Sequence, residues 1–124
     1  MSEPGGRAVI RVLVADDDVA VRSALGDLLA ADSEISVVAL CADGREALRA
    51  LDEVTPDLAV LDVRMPDGGA GLVRAFSSRG VRVVCFSADE ESSHQMIAAG
   101  ARAFLAKSGE ILDLTNTLRI LAAD

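Results

Sequence analysis

Asp57-Leu58-Ala59-Val60-Leu61-Asp62-Val63-Arg64-Met65-Pro66 is the stretch on which the fold turns. From Leu58 to Val63 every residue but one is apolar, and the exception, Asp62, is a carboxylate near the end of the run. A short, nearly unbroken apolar run reads as a strand buried on both faces, as in a parallel sheet. Pro66 stops it, because proline has no amide hydrogen to give a ladder. Open parallel sheets bind ligands at the carboxyl ends of their strands, which is where Asp62 falls. Taken alone, such an aspartate is more often the cap of the next helix, so its neighbours decide.

Upstream, Val9-Ile10-Arg11-Val12-Leu13-Val14-Ala15 predicts a strand, followed at once by Asp16-Asp17-Asp18. An amphipathic helix runs from Val19 to about Ala31, with Val21, Leu25, Leu28 and Leu29 at helical spacing. Ile35 to Leu40 is a second β-branched run. Asp43, with Glu46 three residues on, resembles a capping box opening a helix whose face carries Ala47, Leu48, Leu51 and Val54. Downstream of Pro66, a loop at Asp67-Gly68-Gly69 leads to a short helix over about 70–78, ended by Gly80. Val81 to Phe86 is a fourth strand, closed by Ser87-Ala88-Asp89, and a helix over about 90–99 stops at Gly100. Arg102 to Ala106 is a fifth strand leading to Lys107. A last helix over about 109–122 places Ile111, Leu114, Leu118 and Leu121 on one stripe. Strict alternation of strand and helix predicts an α/β fold, a doubly wound parallel sheet with helices on both faces. Residues 9–124 form one domain behind a polar, glycine-rich tail at 1–8, expected to be flexible.

Parallel strands all point one way, so their carboxyl ends share one edge of the sheet. Asp16, Asp17, Asp62, Ser87 and Lys107 all stand at or just past such ends. Three carboxylates gathered there repel one another, and a divalent cation relieves the repulsion. Oxygen ligands with few protein carboxylates suit Mg²⁺. Lys107 supplies a point positive charge for a phosphoryl oxygen, Ser87 a hydrogen-bond donor, and the small Ala88 leaves room. An aspartate can act as nucleophile to form an acyl phosphate, with metal and ammonium stabilising charge on the transferred group.

Composition narrows the partners. A formal charge of −8 over 124 residues argues against gripping nucleic acid, and the absence of Trp and Tyr removes a base-stacking platform. Residues 1–6 lack the apolar core of a signal peptide, and no run approaches the ~18 apolar residues of a membrane span.

Val14-Ala15-Asp16-Asp17-Asp18, Leu61-Asp62-Val63-Arg64-Met65-Pro66, Phe86-Ser87-Ala88 and Phe104-Leu105-Ala106-Lys107 together resemble the receiver domain of bacterial two-component response regulators. The resemblance implies a flavodoxin-like sheet of strand order 2-1-3-4-5 and Asp62 as phosphoacceptor for a sensor histidine kinase. It implies Mg²⁺ held by Asp16, Asp17, Asp62 and the backbone carbonyl of Arg64, Lys107 on the phosphoryl group, and Ser87 with Phe104 as a switch pair. The stretches Cys85-Phe86-Ser87, Ala99-Gly100-Ala101 and Lys107-Ser108 look most like the NarL/FixJ subfamily, whose members usually control transcription through a DNA-binding output domain. No such domain lies within this chain. The resemblance also implies a partner surface, open to homodimerisation, made by the fourth helix, fifth strand and fifth helix. In that strand order Cys41 and Cys85 end strands about 14 Å apart. That is beyond a disulfide's reach, so reduced thiols and a cytoplasmic setting are expected.

The chain departs from the family pattern at three points. Ser108 follows the lysine where many receivers have proline, Phe104 stands where Tyr is common, and the loop Asp67-Gly68-Gly69-Ala70-Gly71 is one residue longer than usual. Two rival readings remain. Asp16-Asp17-Asp18 contains the Asp-x-Asp spacing of haloacid dehalogenase-type phosphatases, but Ala20 stands where Thr or Val is wanted and the chain is short for that class. A pseudo-receiver, a protein-interaction module that takes no phosphate, would share the fold. Gly69-Ala70-Gly71 lacks the spacing of a dinucleotide loop, and His94 reads as an ordinary helix residue. Leu112 and Ile120, off the apolar stripe, are either plain exposed residues or part of the partner surface. Arg64 and Asp89 could meet across the mouth of the crevice as an ion pair or stand apart in solvent.

Overall fold

The computed structural model describes residues 9–107 and 111–123. The expected tail at 1–8 and the serine after Lys107 lie outside the described residues, as does the side chain of Leu112. Five strands, β1 (Ile10–Ala15), β2 (Ile35–Cys41), β3 (Leu58–Leu61), β4 (Arg82–Ser87) and β5 (Ala103–Ala106), form one parallel sheet in the order 2-1-3-4-5. The helices are α1 (Val19–Ala30), α2 (Gly44–Val54), α3 (Ala70–Ser78), α4 (Ser93–Ala99) and α5 (Ile111–Ala123). This is the doubly wound arrangement that the alternation predicts.

Because side chains alternate across a strand, the sheet buries two separate cores. Leu13, Ala15, Ala59, Leu61, Val83 and Cys85 face α2, α3 and α4, meeting Ala47, Leu51, Phe76 and Met96. Val12, Val14, Leu58, Val60, Val84 and Phe86 face the opposite way onto Leu25 and Leu29 of α1 and Leu114 and Leu118 of α5. Leu13, Leu58, Phe76, Leu114 and Leu118 are wholly inaccessible to solvent. Burial of each such side chain contributes roughly 1.5–3 kcal/mol. All four residues of β3 are buried, as its unbroken apolar run requires of the strand at the centre of the sheet.

Local chemistry differs from the expectation in three places. β3 ends at Leu61, so Asp62 stands just past the strand and Val63 lies beyond it. Helix four begins later than the expected start near residue 90. Glu90–Ser92 forms a 3₁₀ turn, with the Asp89 carboxylate accepting from the Glu91 amide (3.2 Å), and α4 proper is only Ser93–Ala99. At α2 the Asp43 carboxylate accepts from the Glu46 amide (2.8 Å), but the Glu46 carboxylate accepts from Ala42 rather than from Asp43 (3.1 Å). Leu48, expected on the buried face of α2, is 43% exposed.

Two glycines permit close approaches at opposite edges of the sheet, Gly44 just after β2 and Gly100 just before β5. Gly44 opens α2 and donates its amide to the Pro66 carbonyl (2.8 Å), and a Cβ there would lie 1.7 Å from the Asp67 carbonyl oxygen. Only glycine lets the β3–α3 loop lie this close to α2. Gly100 ends α4 at φ 120, where a Cβ would meet the Ser77 hydroxyl at 2.3 Å.

Candidate functional site

The site forms where β1, β3, β4 and β5 end side by side. Ala15 pairs with Leu61, Leu61 with Cys85, and Ser87 with Ala106. The residue after each strand therefore falls on the same edge. Asp16 continues the ladder, donating its amide to the Cys41 carbonyl (3.0 Å), while Asp62 donates to the Ala15 carbonyl (2.9 Å) and Lys107 to the Ser87 carbonyl (2.9 Å). These ties bring Asp16, Asp62 and Lys107 to one point. Nζ of Lys107 stands 2.7 Å from Oδ2 of Asp16 and 3.3 Å from Oδ2 of Asp62.

Each group is further oriented. Oδ1 of Asp16 accepts from the Asp18 amide (2.9 Å), and the Asp18 carboxylate caps α1 by accepting from Ala20 (2.9 Å) and Val21 (3.2 Å). Oδ1 of Asp62 accepts from the Arg64 amide (3.2 Å). Asp16, Asp62 and Ser87 are the described buried polar side chains, whereas Asp17 is exposed at the mouth. The Ser87 hydroxyl accepts from the Asp89 amide (3.1 Å), and Phe104 packs half-buried against the α2–α3–α4 core.

Burial pushes the Asp62 carboxyl above the usual range, and the neighbouring Asp16 charge pushes it the same way. The Arg64 amide and Lys107 oppose this without overcoming it. For Lys107, burial works downward but is outweighed by contact with Asp16 and by the Asp62 charge, so its ammonium is held above the usual range. The cluster is thus short of positive charge. One carboxylate oxygen each from Asp16, Asp17 and Asp62 lies within 4.8 Å of the other two. Oδ2 of Asp16 is buried and, although Lys107 pairs with its charge, no donor is aligned on it for a hydrogen bond. Hard oxygen donors with an unfilled acceptor fit a small divalent cation such as Mg²⁺.

A family model described as the response regulator receiver domain matches residues 12–119. This chain belongs to that family. Among curated relatives, a protein-glutamate methylesterase/protein-glutamine glutaminase of Syntrophomonas wolfei is 37% identical over 82% of this chain and 31% of its own length. The DNA-binding transcriptional activator DevR/DosR of Mycobacterium tuberculosis is 34% identical over 93% of this chain and 55% of its own length. The chain therefore spans about a third to about half of these relatives, and the match to the methylesterase covers only that share of it. Of solved structures, the response regulator domain of Thermotoga maritima CheB superposes with a TM-score of 0.83 at 27% identity, covering 94% of this chain and 98% of that one. The receiver domain of Mycobacterium tuberculosis NarL gives 0.80 at 29% identity, covering 91% and 98%.

In this receiver domain the five residues singled out by strand-end placement stand together at one edge. The phosphatase reading lapses with the family match. Among the described residues no Arg64–Asp89 ion pair is formed: Oδ1 of Asp89 accepts from the Glu91 amide and Arg64 stands exposed. Sequence reading missed Arg22, whose guanidinium Nη1 donates to the Asp16 carbonyl (2.7 Å). Its one signal was an arginine a single helical turn beyond three aspartates. A cleft of about 270 Å³ lined by Ala20, Val21, Ala24, Phe86 and Lys107 opens beside the site. A wider groove of about 630 Å³ between α1 and β2, bordered by Gly26, Asp27 and Leu40, lies away from the carboxylate cluster. Among the described residues no helix is long and apolar enough to cross a membrane.

Proposed function

We propose that this receiver accepts a phosphoryl group on Asp62 from a phosphohistidine of a sensor histidine kinase. The observation that carries the reading is the buried Asp62 carboxylate, fixed by the Arg64 amide and set 3.3 Å from the Lys107 ammonium beside two more aspartates. One Asp62 oxygen forms a bond to phosphorus as the donor's P–N bond breaks, and the departing imidazole regains a proton. Asp16, Asp17, Asp62 and the Arg64 carbonyl would hold Mg²⁺, which when bound neutralises phosphoryl and carboxylate charge. Lys107 binds a phosphoryl oxygen as a point charge, a task that suits an ammonium. The cleft at Ala20, Val21 and Ala24, beside the 64%-exposed Val19, offers the kinase an apolar seat next to Asp62.

The phosphoryl group then accepts from the Ser87 hydroxyl, whose oxygen accepts from the Asp89 amide. Drawing Ser87 inward leaves space that Phe104 fills, a local electrostatic change that biases a two-state packing element and alters the α4–β5–α5 surface. Ile97 and Ile120, 48% and 67% exposed, are apolar contacts through which that surface could pair with a second copy. Control of transcription would follow through an output domain outside this chain, in a cytoplasmic protein. The aspartates, Ser87 and Lys107 all stand in place, which favours this reading over a phosphate-independent pseudo-receiver. Intact-mass spectrometry after acetyl phosphate treatment tests it. One added phosphoryl group that requires Mg²⁺ and vanishes with chelator is expected. No labelling under any divalent cation would leave the pseudo-receiver.

A further inference from the structure

Asp16 is held at its backbone amide and Oδ1 by hydrogen bonds and at Oδ2 by charge alone. Its amide donates to Cys41, its Oδ1 accepts from the Asp18 amide and its Oδ2 pairs with Lys107. Its carbonyl is the remaining group, and it accepts from Nη1 of Arg22 at 2.7 Å. Arg22 is half-buried, and its own backbone amide donates to the Asp18 carbonyl (2.9 Å) as the first turn of α1 forms. It therefore holds the Asp16–Asp17–Asp18 segment at both ends, through its side chain at Asp16 and its backbone at Asp18. Asp17, between them, is exposed and has no such tie of its own among the described residues, yet its carboxylate is one of the three in the cluster.

We propose that Arg22 is a positioning residue for the divalent-cation site: by fixing the peptide that joins Asp16 to Asp17, it aims the Asp17 carboxylate at the cluster. The inference rests on the cation reading given above. It also carries a sign that separates it from plain electrostatics. A guanidinium charge near a cation site disfavours the cation, so removing it should tighten binding if charge were its whole effect. If Arg22 acts by orientation, removing it weakens binding, as loss of groups that orient metal ligands typically does by about tenfold or more.

Calorimetric titration of Mg²⁺ into the parent chain, Arg22→Met and Arg22→Lys tests this, with circular dichroism confirming that each is folded. Arg22→Met should bind about tenfold more weakly, and Arg22→Lys, which keeps a donor of shorter reach, should fall between. Equal or tighter binding by Arg22→Met overturns the proposal. If Arg22→Met does not fold, equal or tighter binding by Arg22→Lys overturns it instead. A parent chain that binds no Mg²⁺ would overturn the cation reading itself, and the role of Arg22 with it.

Discussion

Replacing Lys107 with methionine removes the one cation that bridges the two buried carboxylates and keeps most of the side-chain volume. At an effective dielectric of about 20, attractions across 2.7 and 3.3 Å amount to about 6 and 5 kcal/mol before desolvation is counted. Most of that gross attraction offsets the cost of taking three charged groups out of water. Breaking a buried pair by removing one partner typically costs about 3–5 kcal/mol, because the other charge is left uncompensated. Lys107 is 21% exposed, which lets water into the vacated space. The expected loss is then about 2–4 kcal/mol, a large share of a stability of about 5–15 kcal/mol. Urea unfolding followed by far-ultraviolet circular dichroism reads it, since the chain has no Trp or Tyr for fluorescence. In an Asp62→Asn background only Asp16 remains to be left unpaired, so the same substitution should cost about half as much. Adding Mg²⁺ should narrow the gap between Lys107→Met and its parent. A loss below about 0.5 kcal/mol, or an equal loss in the Asp62→Asn background, refutes the claim that Lys107 balances both carboxylates.

Gly44→Ala would set a methyl group 1.7 Å from the Asp67 carbonyl oxygen, so the β3–α3 loop must move. The variant should lose about 1–3 kcal/mol and bind Mg²⁺ more weakly, and unchanged affinity by calorimetry would show that the loop does not set the Arg64 carbonyl. Ser87→Ala should cost only about 1 kcal/mol of stability but uncouple Phe104 from phosphorylation; Phe104 ring resonances that shift with beryllofluoride as in the parent would count against the switch pair. Burial pushes the Cys41 and Cys85 thiols up to about 11 and about 12, from 9.0. A raised folded-state value stabilises fully below the unfolded value and is lost as pH rises through the folded one. The fall therefore runs from about pH 9 towards 11–12, reaching about 1.4 kcal/mol per thiol at pH 10. A Cys41→Ala/Cys85→Ala variant with the same decline between pH 8 and 10 would assign the decline to other groups.

The apolar run of β3 and the alternation of strand and helix made the sheet legible, because a central parallel strand must be apolar on both faces. The site was legible for the same reason: in a parallel sheet, standing at or just past a strand's carboxyl end is a position in space. Asp16, Asp62, Ser87 and Lys107 needed no knowledge of side-chain geometry to be gathered. What stayed hidden depends on competition among short-range partners. Asp89 had Arg64 as a conceivable partner across the crevice, but what it engages is local, its Oδ1 accepting from the Glu91 amide two residues away. The same bond shortens α4, since a turn capped at Asp89 closes as 3₁₀ before the helix begins. The β3–α3 loop turns through positive φ at Asp67 (58) and Gly69 (90), which no hydrophobic pattern encodes. Arg22 was invisible because its partner is a backbone carbonyl, a group every residue carries, so no sequence pattern singles it out.

The central claim is that Asp62 alone receives the phosphoryl group, and site-resolved mass spectrometry of the acetyl phosphate-treated chain tests it most directly. The peptide containing Asp62 should carry the single added group in the parent, with none elsewhere, and the Asp62→Asn chain should stay unmodified under the same Mg²⁺ conditions. A parent modified on Asp16 or Asp17, or an Asp62→Asn chain labelled as fully as the parent, would contradict the account.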